Sequence, residues 1–296
     1  MLIIGSHVSY KNDTQLVGSV NEAISYGANA FMFYTGAPQN TLRGEINDLI
    51  TVEALNIMKE HNMALENVIC HAPYIVNLAN NTDMEKYNFA IEFLRKEIER
   101  CMTLGVRKIV LHPGSATKLD REYAINNVVY ALNKILMRED DIIILLETMA
   151  GKGTELGINI EELAYIIDNV EFKDKIGVCI DTCHLNDSGV DINEIDAYLD
   201  EFDSRIGLDK IGCVHVNDSK NPLGTKKDRH ENLGYGTIGF DALIKVIYNA
   251  RLENVPKILE TPYINREFAP YKHEIDMIKN KKFNPNLISD ILNDKK

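Results

Sequence analysis

Eight short apolar runs recur along the chain: LIIGSHV (2–8), AFMFYT (30–35), VICHAPY (68–74), KIVLHPG (108–114), IIILLET (142–148), GVCIDTCH (177–184), IGCVHVND (211–218) and KILETPY (257–263). They are continuous rather than alternating and rich in β-branched residues, the pattern of parallel strands buried on both faces. Between them lie stretches whose apolar residues recur at helical spacing: TQLVGSVNEAISYG, TVEALNIMKEHN, EKYNFAIEFLRKEIERCMTLG, EYAINNVVYALNKILM, NIEELAYIIDNV and GFDALIKVIYNA. Gly27 and Gly105 close two of these, as suits a left-handed helix C-cap leading into the next strand. Eightfold strand-helix alternation predicts an α/β fold, a (β/α)8 TIM barrel forming a single domain over residues 1–296. A doubly wound open sheet is the competing architecture, but no Gly-x-Gly-x-x-Gly turn follows the first run.

The polar residues that interrupt this pattern are not scattered. His71, His112, Glu147, Asp181, His215 and Glu260 fall at or just beyond the ends of six of the runs, at intervals of 41, 35, 34, 34 and 45 residues. His184 follows Asp181 in an Asp-x-x-His pair, and Asp228 with His230 forms an Asp-x-His pair inside the long irregular stretch 217–239. In a barrel all nine would face the C-terminal mouth, where such folds place their active sites. Taken singly, a strand-end His is a hydrogen-bonded structural residue and an acid caps the following helix. Independent accidents would not set six of eight strands in one register, so the set reads as a metal site.

Imidazole mixed with carboxylate, without a thiolate, suits Zn²⁺, Mn²⁺ or Fe²⁺. Nine protein ligands exceed the needs of two ions; with bridging carboxylates they suit three, each keeping an open position. Spacing alone groups Asp181, His184, Asp228 and His230 toward a third ion and leaves a close pair to the rest.

The formal charge of −12 argues superficially against nucleic acid as a partner. Four of the acids, however, belong to the ligand set, and three divalent cations would make that site net positive, so local field decides what docks there. The N-terminal MLIIGSHVSY has no basic leader pattern, and about 18 consecutive apolar residues occur nowhere, so no membrane partner and a cytoplasmic location are expected. Cys70, Cys101, Cys179, Cys183 and Cys213 include no C-x-x-C pair and read as buried thiols, Cys183 pointing into the core. No periodic apolar surface argues for an oligomer, and a monomer is expected. His61 and His273 read as surface residues. His7 ends the first run, where substrate-facing and structural roles both remain open, and Gly234 and Gly236 read as an ordinary turn that could admit a phosphate.

The segments HAPYIVNLAN, LHPGS, LLETMAGKGTELG, GVCIDTCHLNDSG, HVNDSKNPLGTKKDRHENLGYGTIG and ILETPY together resemble endonuclease IV, the zinc-dependent apurinic/apyrimidinic endonuclease family. The resemblance runs from GSHVS to ILETPY, nearly the whole chain. It implies three Zn²⁺ in a barrel: His71, His112 and Glu147 on the first, Glu147 bridging to a second with Asp181, His215 and Glu260, and His184, Asp228 and His230 on the third. It implies base excision repair of double-stranded DNA containing abasic sites. A metal-activated hydroxide, oriented by Glu147 and Glu260, would hydrolyse the phosphodiester 5′ to the abasic site, leaving a 3′-OH and a 5′-deoxyribose phosphate; 3′ blocking groups would also be removed. Tyr74 and Ile75 match positions that wedge into the minor groove. Some members insert an Arg from the loop after the second strand; this chain reads TGAPQNT there, leaving Gln39 or Asn40. Lys220 and Arg229, with Lys226 and Lys227, could grip phosphates.

Two other classes compete. A sugar isomerase or epimerase would need two ions and would not use the Asp228-x-His230 pair. A non-catalytic metal or damage binder would leave the complete ligand set without a purpose.

Overall fold

The computed structural model describes residues 2–294. Strands β1 (Ile4–His7), β2 (Ala30–Phe33), β3 (Val68–His71), β4 (Lys108–Leu111), β5 (Ile143–Glu147), β6 (Ile176–Asp181) and β7 (Ile211–His215) arise from the first seven apolar runs. A two-stranded antiparallel ribbon, β8 (Asp218–Ser219) with β9 (His230–Glu231), folds the long stretch after β7 back on itself. The eighth barrel strand, β10 (Lys257–Leu259), pairs with β7 on one side and β1 on the other, so the parallel sheet closes and the open-sheet alternative falls.

Helices α1 (Gln15–Ser25), α2 (Asp48–Glu60), α3 (Met84–Thr103), α4 (Arg121–Ile135) and α5 (Ile160–Asn169) follow β1 to β5. Asn47, Asp83, Asp120 and Asn159 cap the last four by accepting backbone N–H groups. After β6 come α6 (Thr182–Ser188) and α7 (Ile195–Arg205), and after β7 α8 (Phe240–Ile247). Helices α9 (Tyr271–Asn280) and α10 (Leu287–Asn293) complete the chain. The apolar-run reading does not mark α6, α7, α9 and α10. Two of them are very short, and α7 and α9 keep only one narrow apolar stripe, Ile195, Tyr198, Leu199 and Phe202 in the first and Tyr271, Ile275 and Ile278 in the second.

Inside the barrel, Met32, Ile69, Val110, Leu145, Cys179, Cys213 and Ile258 form a separate buried cluster with Ala30. Side chains alternate across a strand with a period of two, so the residues two positions further along face inward one layer higher. Those residues are Tyr34, His71, His112, Glu147, Asp181, His215 and Glu260. Alternation in a closed sheet thus stacks a polar ring directly on an apolar plug.

One irregularity sets this ring. Along β6 and β7 the register runs Val178↔Ile211 and then Cys179↔Cys213, leaving Gly212 as an extra residue. Without that bulge Asp181 would sit opposite Val214; with it, the partner is His215. A Cβ at position 212 would come within 2.5 Å of Leu145 Cδ2, so the bulge is closed around glycine. We expect Gly212→Ala to cost about 2 kcal/mol by overpacking and Leu145→Ala about 3 kcal/mol by leaving a cavity. The two losses should not add, because the smaller side chain at 145 frees the space that the added methyl group needs; strictly additive losses in chemical denaturation would show that the two positions do not share that space.

Candidate metal centre

Glu147, at the end of β5, is almost wholly buried and is ringed by imidazoles. His112 Nε2 lies 3.0 Å and His71 Nε2 3.3 Å from Oε2, while His215 Nδ1 lies 3.0 Å and His184 Nδ1 3.4 Å from Oε1. Glu260, just past β10, reaches the same His215 Nδ1 at 3.0 Å. Burial disfavours the charge on Glu147, but His215 and His112 hold its carboxyl well below the usual range. The same balance lowers Glu260, where burial is outweighed chiefly by His215. Against their own burial, His112 is raised by Glu147, His184 by Asp181, Asp228 and Glu147, and His215 by Cys179, Glu260 and Glu147.

Ring orientation decides what this cluster can do. His71 Nδ1–H donates to the Ala72 carbonyl (2.7 Å), His184 Nδ1–H to that of Thr148 (2.9 Å) and His230 Nδ1–H to that of Glu260 (3.2 Å). Each bond leaves Nε2 as the bare nitrogen turned toward the carboxylates, the arrangement that fixes metal-binding imidazoles. Buried His230 Nε2 has no hydrogen-bond partner and faces Asp228 Oδ1 at 3.7 Å and Asp181 Oδ2 at 3.8 Å. A buried lone pair aimed at two acids is a polar group awaiting a cation.

Three nitrogen-oxygen groups have ligand atoms within 4.8 Å of one another: His71, His112 and Glu147; Glu147, Asp181, His215 and Glu260; and Asp181, His184 and His230. The first two match the sets expected from sequence. The third brings Asp181 beside His184 and His230, as their spacing suggested: Asp181 caps α6, and its carboxylate lies 3.9 Å from His184 Nδ1 and 3.8 Å from His230 Nε2. Asp228 stays beside the group, 3.2 Å from His184 Nε2, and His184 with His230 draws its pKa down to about 2 against its partial burial. Not every candidate ligand sits at a barrel-strand end: His184 lies in the first turn of α6, and His230 on β9.

Several supporting residues escaped the sequence reading. Buried Asn217 donates to Asp181 (2.8 Å) and accepts the Glu260 N–H (2.9 Å), tying β6 to β10. Buried Asp187 accepts from Ser219 Oγ (2.7 Å), Asn221 Nδ2 (3.2 Å) and the Asp228 N–H (2.8 Å), holding Asp228 in a left-handed conformation with φ of 53°. Gly234 and Gly236 form no phosphate turn, because both donate to Asp218 (3.0 and 3.1 Å) and that carboxylate fills the turn. Glu274 of α9 accepts the Leu233 N–H (3.0 Å) and Asn232 Nδ2 (3.1 Å). Buried acids inside DSG, HVNDS or YKHEID look like solvated ones in a sequence; only the cluster of Asp, Asn and Gly around them hinted at a knotted loop.

His7 faces the centre: it is half-buried, lies edge-on to Tyr34 at 4.8 Å, and desolvation lowers its pKa to about 4. Tyr34, also missed, lies 5.1 Å from the His71 ring. Cys183 is buried, as expected. His61 is exposed at the end of α2, whereas His273 is half-buried and bonds Asp294 at 3.1 Å.

At the rim, Tyr74 and Ile75 are 55% and 41% exposed, unusual for apolar side chains beside so buried a histidine. Gln39 is exposed and Asn40 half-buried. Arg43, an arginine of the same loop, is not free to replace an inserting one: its Nε donates to buried Glu97 (2.7 Å), and its Nη1 to the carbonyls of Asn40 (3.1 Å) and Leu42 (2.8 Å). Lys220 and Arg229 are exposed on the ribbon, Lys220 lying 3.7 Å from Glu231.

The family pattern described as "Xylose isomerase-like TIM barrel" matches residues 20–281. A "Probable endonuclease 4" of Staphylococcus epidermidis is 50% identical over 98% of this chain and 99% of its own length. The chain belongs to the endonuclease IV family. It is therefore of an endonuclease lineage, not merely of that fold. The crystal structure of endonuclease IV from Thermus thermophilus is 29% identical, with a TM-score of 0.79 over 94% of this chain and 97% of that one. A D-tagatose 3-epimerase-like protein, 18% identical with a TM-score of 0.67 over 98% and 99% of the two chains, shares the fold alone. No helix among the described residues is long and apolar enough to cross a membrane.

The Glu274 carboxyl is pushed by burial up to about 7, from an ordinary 4.5. Between those values the folded state holds a proton that the unfolded chain has lost, so stability falls as pH rises through the window. The cost above pH 7 is about 3 kcal/mol. Glu274→Gln should flatten the fall in melting temperature between pH 4.5 and 7; an unchanged slope would place its origin elsewhere.

Proposed function

We propose that this protein is an abasic-site endonuclease of base excision repair, hydrolysing the phosphodiester 5′ to an abasic deoxyribose in duplex DNA and leaving a 3′-OH and a 5′-deoxyribose phosphate. Removal of 3′ blocking groups uses the same centre. The observation that carries the reading is the bare, inward-turned imidazoles around buried Glu147, continued outward to His184, Asp228 and His230, in a chain of the endonuclease IV family. An epimerase reading leaves the outer group without a role.

His71, His112 and Glu147 would hold one ion; Glu147, Asp181, His215 and Glu260 a second; and His184, His230 and Asp228, with Asp181 beside them, a third. The nitrogen and oxygen donors fit Zn²⁺, with Mn²⁺ or Fe²⁺ as alternatives. Divalent ions held by these residues would supply a water nucleophile near neutral pH, of pKa about 7, and would offset the charge of a phosphodiester. Glu147 and Glu260 do the orienting. Their carboxylates accept from the attacking water, Glu260 from the partly open side, and no separate general base is required. Asn217 keeps Asp181 and Glu260 in place for that task.

Selectivity follows from the missing base: a sugar without a stacked base is the least costly nucleotide to turn out of a duplex. Tyr74 and Ile75 then occupy the space in the minor groove. Gln39 or Asn40 borders the gap, and Lys220 and Arg229 contact flanking phosphates. The enzyme acts as a cytoplasmic monomer.

Duplex DNA carrying one tetrahydrofuran abasic analogue tests the reading, since the analogue lacks the aldehyde a lyase needs. Incision on its 5′ side, abolished by a chelator and restored by Zn²⁺ or Mn²⁺, is expected; no incision by metal-loaded protein would sink the proposal. Glu260→Gln should fold normally yet lose incision by roughly 100-fold, since disturbing even the groups behind metal ligands costs 10–100-fold. Tyr74→Ala should raise KM by about tenfold at constant metal content, the loss of one stacking contact. A fall in bound metal in that variant would mean that Tyr74 supports the centre instead.

A further inference from the structure

Directly beneath the polar ring, β6 and β7 place Cys179 and Cys213 side by side, in register across the bulge. Both are fully buried free thiols. The apolar residues of their layer are Ala30, Met32, Ile69, Val110, Leu145 and Ile258. Their polar neighbours are His215 in the ring above, whose imidazole is turned toward both thiols, and the Lys108 ammonium near Cys213. The two sulfurs and a ring nitrogen of His215 lie within 4.8 Å of one another. His215 Nδ1 is engaged by Glu147 and Glu260, while its Nε2 is buried and has no hydrogen-bond partner.

We propose that Cys179, Cys213 and His215 form a separate site for one soft, thiophilic cation of the Cu⁺ or Cd²⁺ class, under the nitrogen-oxygen centre and outside its reaction. Two sulfurs and one imidazole, with no carboxylate in the group, select a soft ion. Three donors suit a trigonal d¹⁰ ion, whereas structural zinc takes four. Binding exchanges two thiol protons for two metal-sulfur bonds, and the protons leave to solvent. Because His215 belongs to both layers, occupation from below competes for the imidazole that the upper centre uses. The bulge at Gly212 that aligns Asp181 with His215 is also what aligns the thiols.

Cadmium alone, added to the full chain free of other metals under anaerobic conditions, tests this. The expected result is a thiolate-to-cadmium charge-transfer band saturating near one equivalent, with two sulfurs and one nitrogen around the ion by X-ray absorption. The band should disappear in Cys213→Ala and Cys213→Ser. It should persist in Cys101→Ala, which removes a second neighbouring thiol pair, Cys70 with Cys101. A cadmium shell of oxygen and nitrogen only, an absent band, or a band retained in both Cys213 variants would overturn the site. The absorption measurement on the unaltered chain decides the matter even if a variant fails to fold.

Discussion

The inner ring at the mouth of this barrel depends on strand register. A closed parallel sheet cannot slide one strand without turning each inward side chain outward, so the alternation that fills the interior with Ile69, Val110, Leu145 and Cys179 also fixes His71, His112, Glu147 and Asp181 above them. The single extra residue in β7 completes the ring by bringing His215 opposite Asp181. Packing energy in the apolar plug therefore positions the polar ring, with Asn217 just past β7 fixing Asp181 and Glu260 within it.

The outer candidate ligands obey a different physics. Asp228 and His230 lie outside the barrel sheet, on and beside the short β8–β9 ribbon, and buried carboxylates hold that segment. Asp187 holds the Asp228 backbone, Asp218 gathers the turn at Gly234 and Gly236, and Glu274 reaches in from α9. Each such acid is costly to bury unless its oxygens find N–H or O–H donors, so the loop has little choice of conformation. The acidity of the chain, which taken whole repels DNA, is in this region spent on structure and on ligands. Under the proposed function, cations held among Glu147, Asp181, Asp228 and Glu260 would turn the local field positive where a phosphodiester approaches.

This division explains what was legible beforehand. Eight apolar runs gave the barrel because burial on both faces leaves no alternation to confuse with a surface strand, and six strand-end ligands stood out because a polar residue closing an apolar run is conspicuous. Asp187, Asn217 and Glu274 were illegible because their partners are backbone groups and distant amides that leave no periodic trace. Gly212 could be read as a glycine inside a strand, a common bulge position, but its effect on register needs the neighbouring strand. Spacing along the chain placed both Asp181 and Asp228 near His184, and the fold keeps both there, Asp181 as the cap of α6 and Asp228 at 3.2 Å from His184 Nε2. Pinning of Arg43 by Glu97 likewise required α3 to be in place.

The most direct measurement is anomalous diffraction at the zinc absorption edge from crystals of the zinc-loaded protein. Three peaks are predicted: one among His71, His112 and Glu147, one among Glu147, Asp181, His215 and Glu260, and one at His184 and His230 beside Asp228. A Glu147 that contacts no ion, or ions bound away from the inward ring, would contradict the claim that strand register builds the centre.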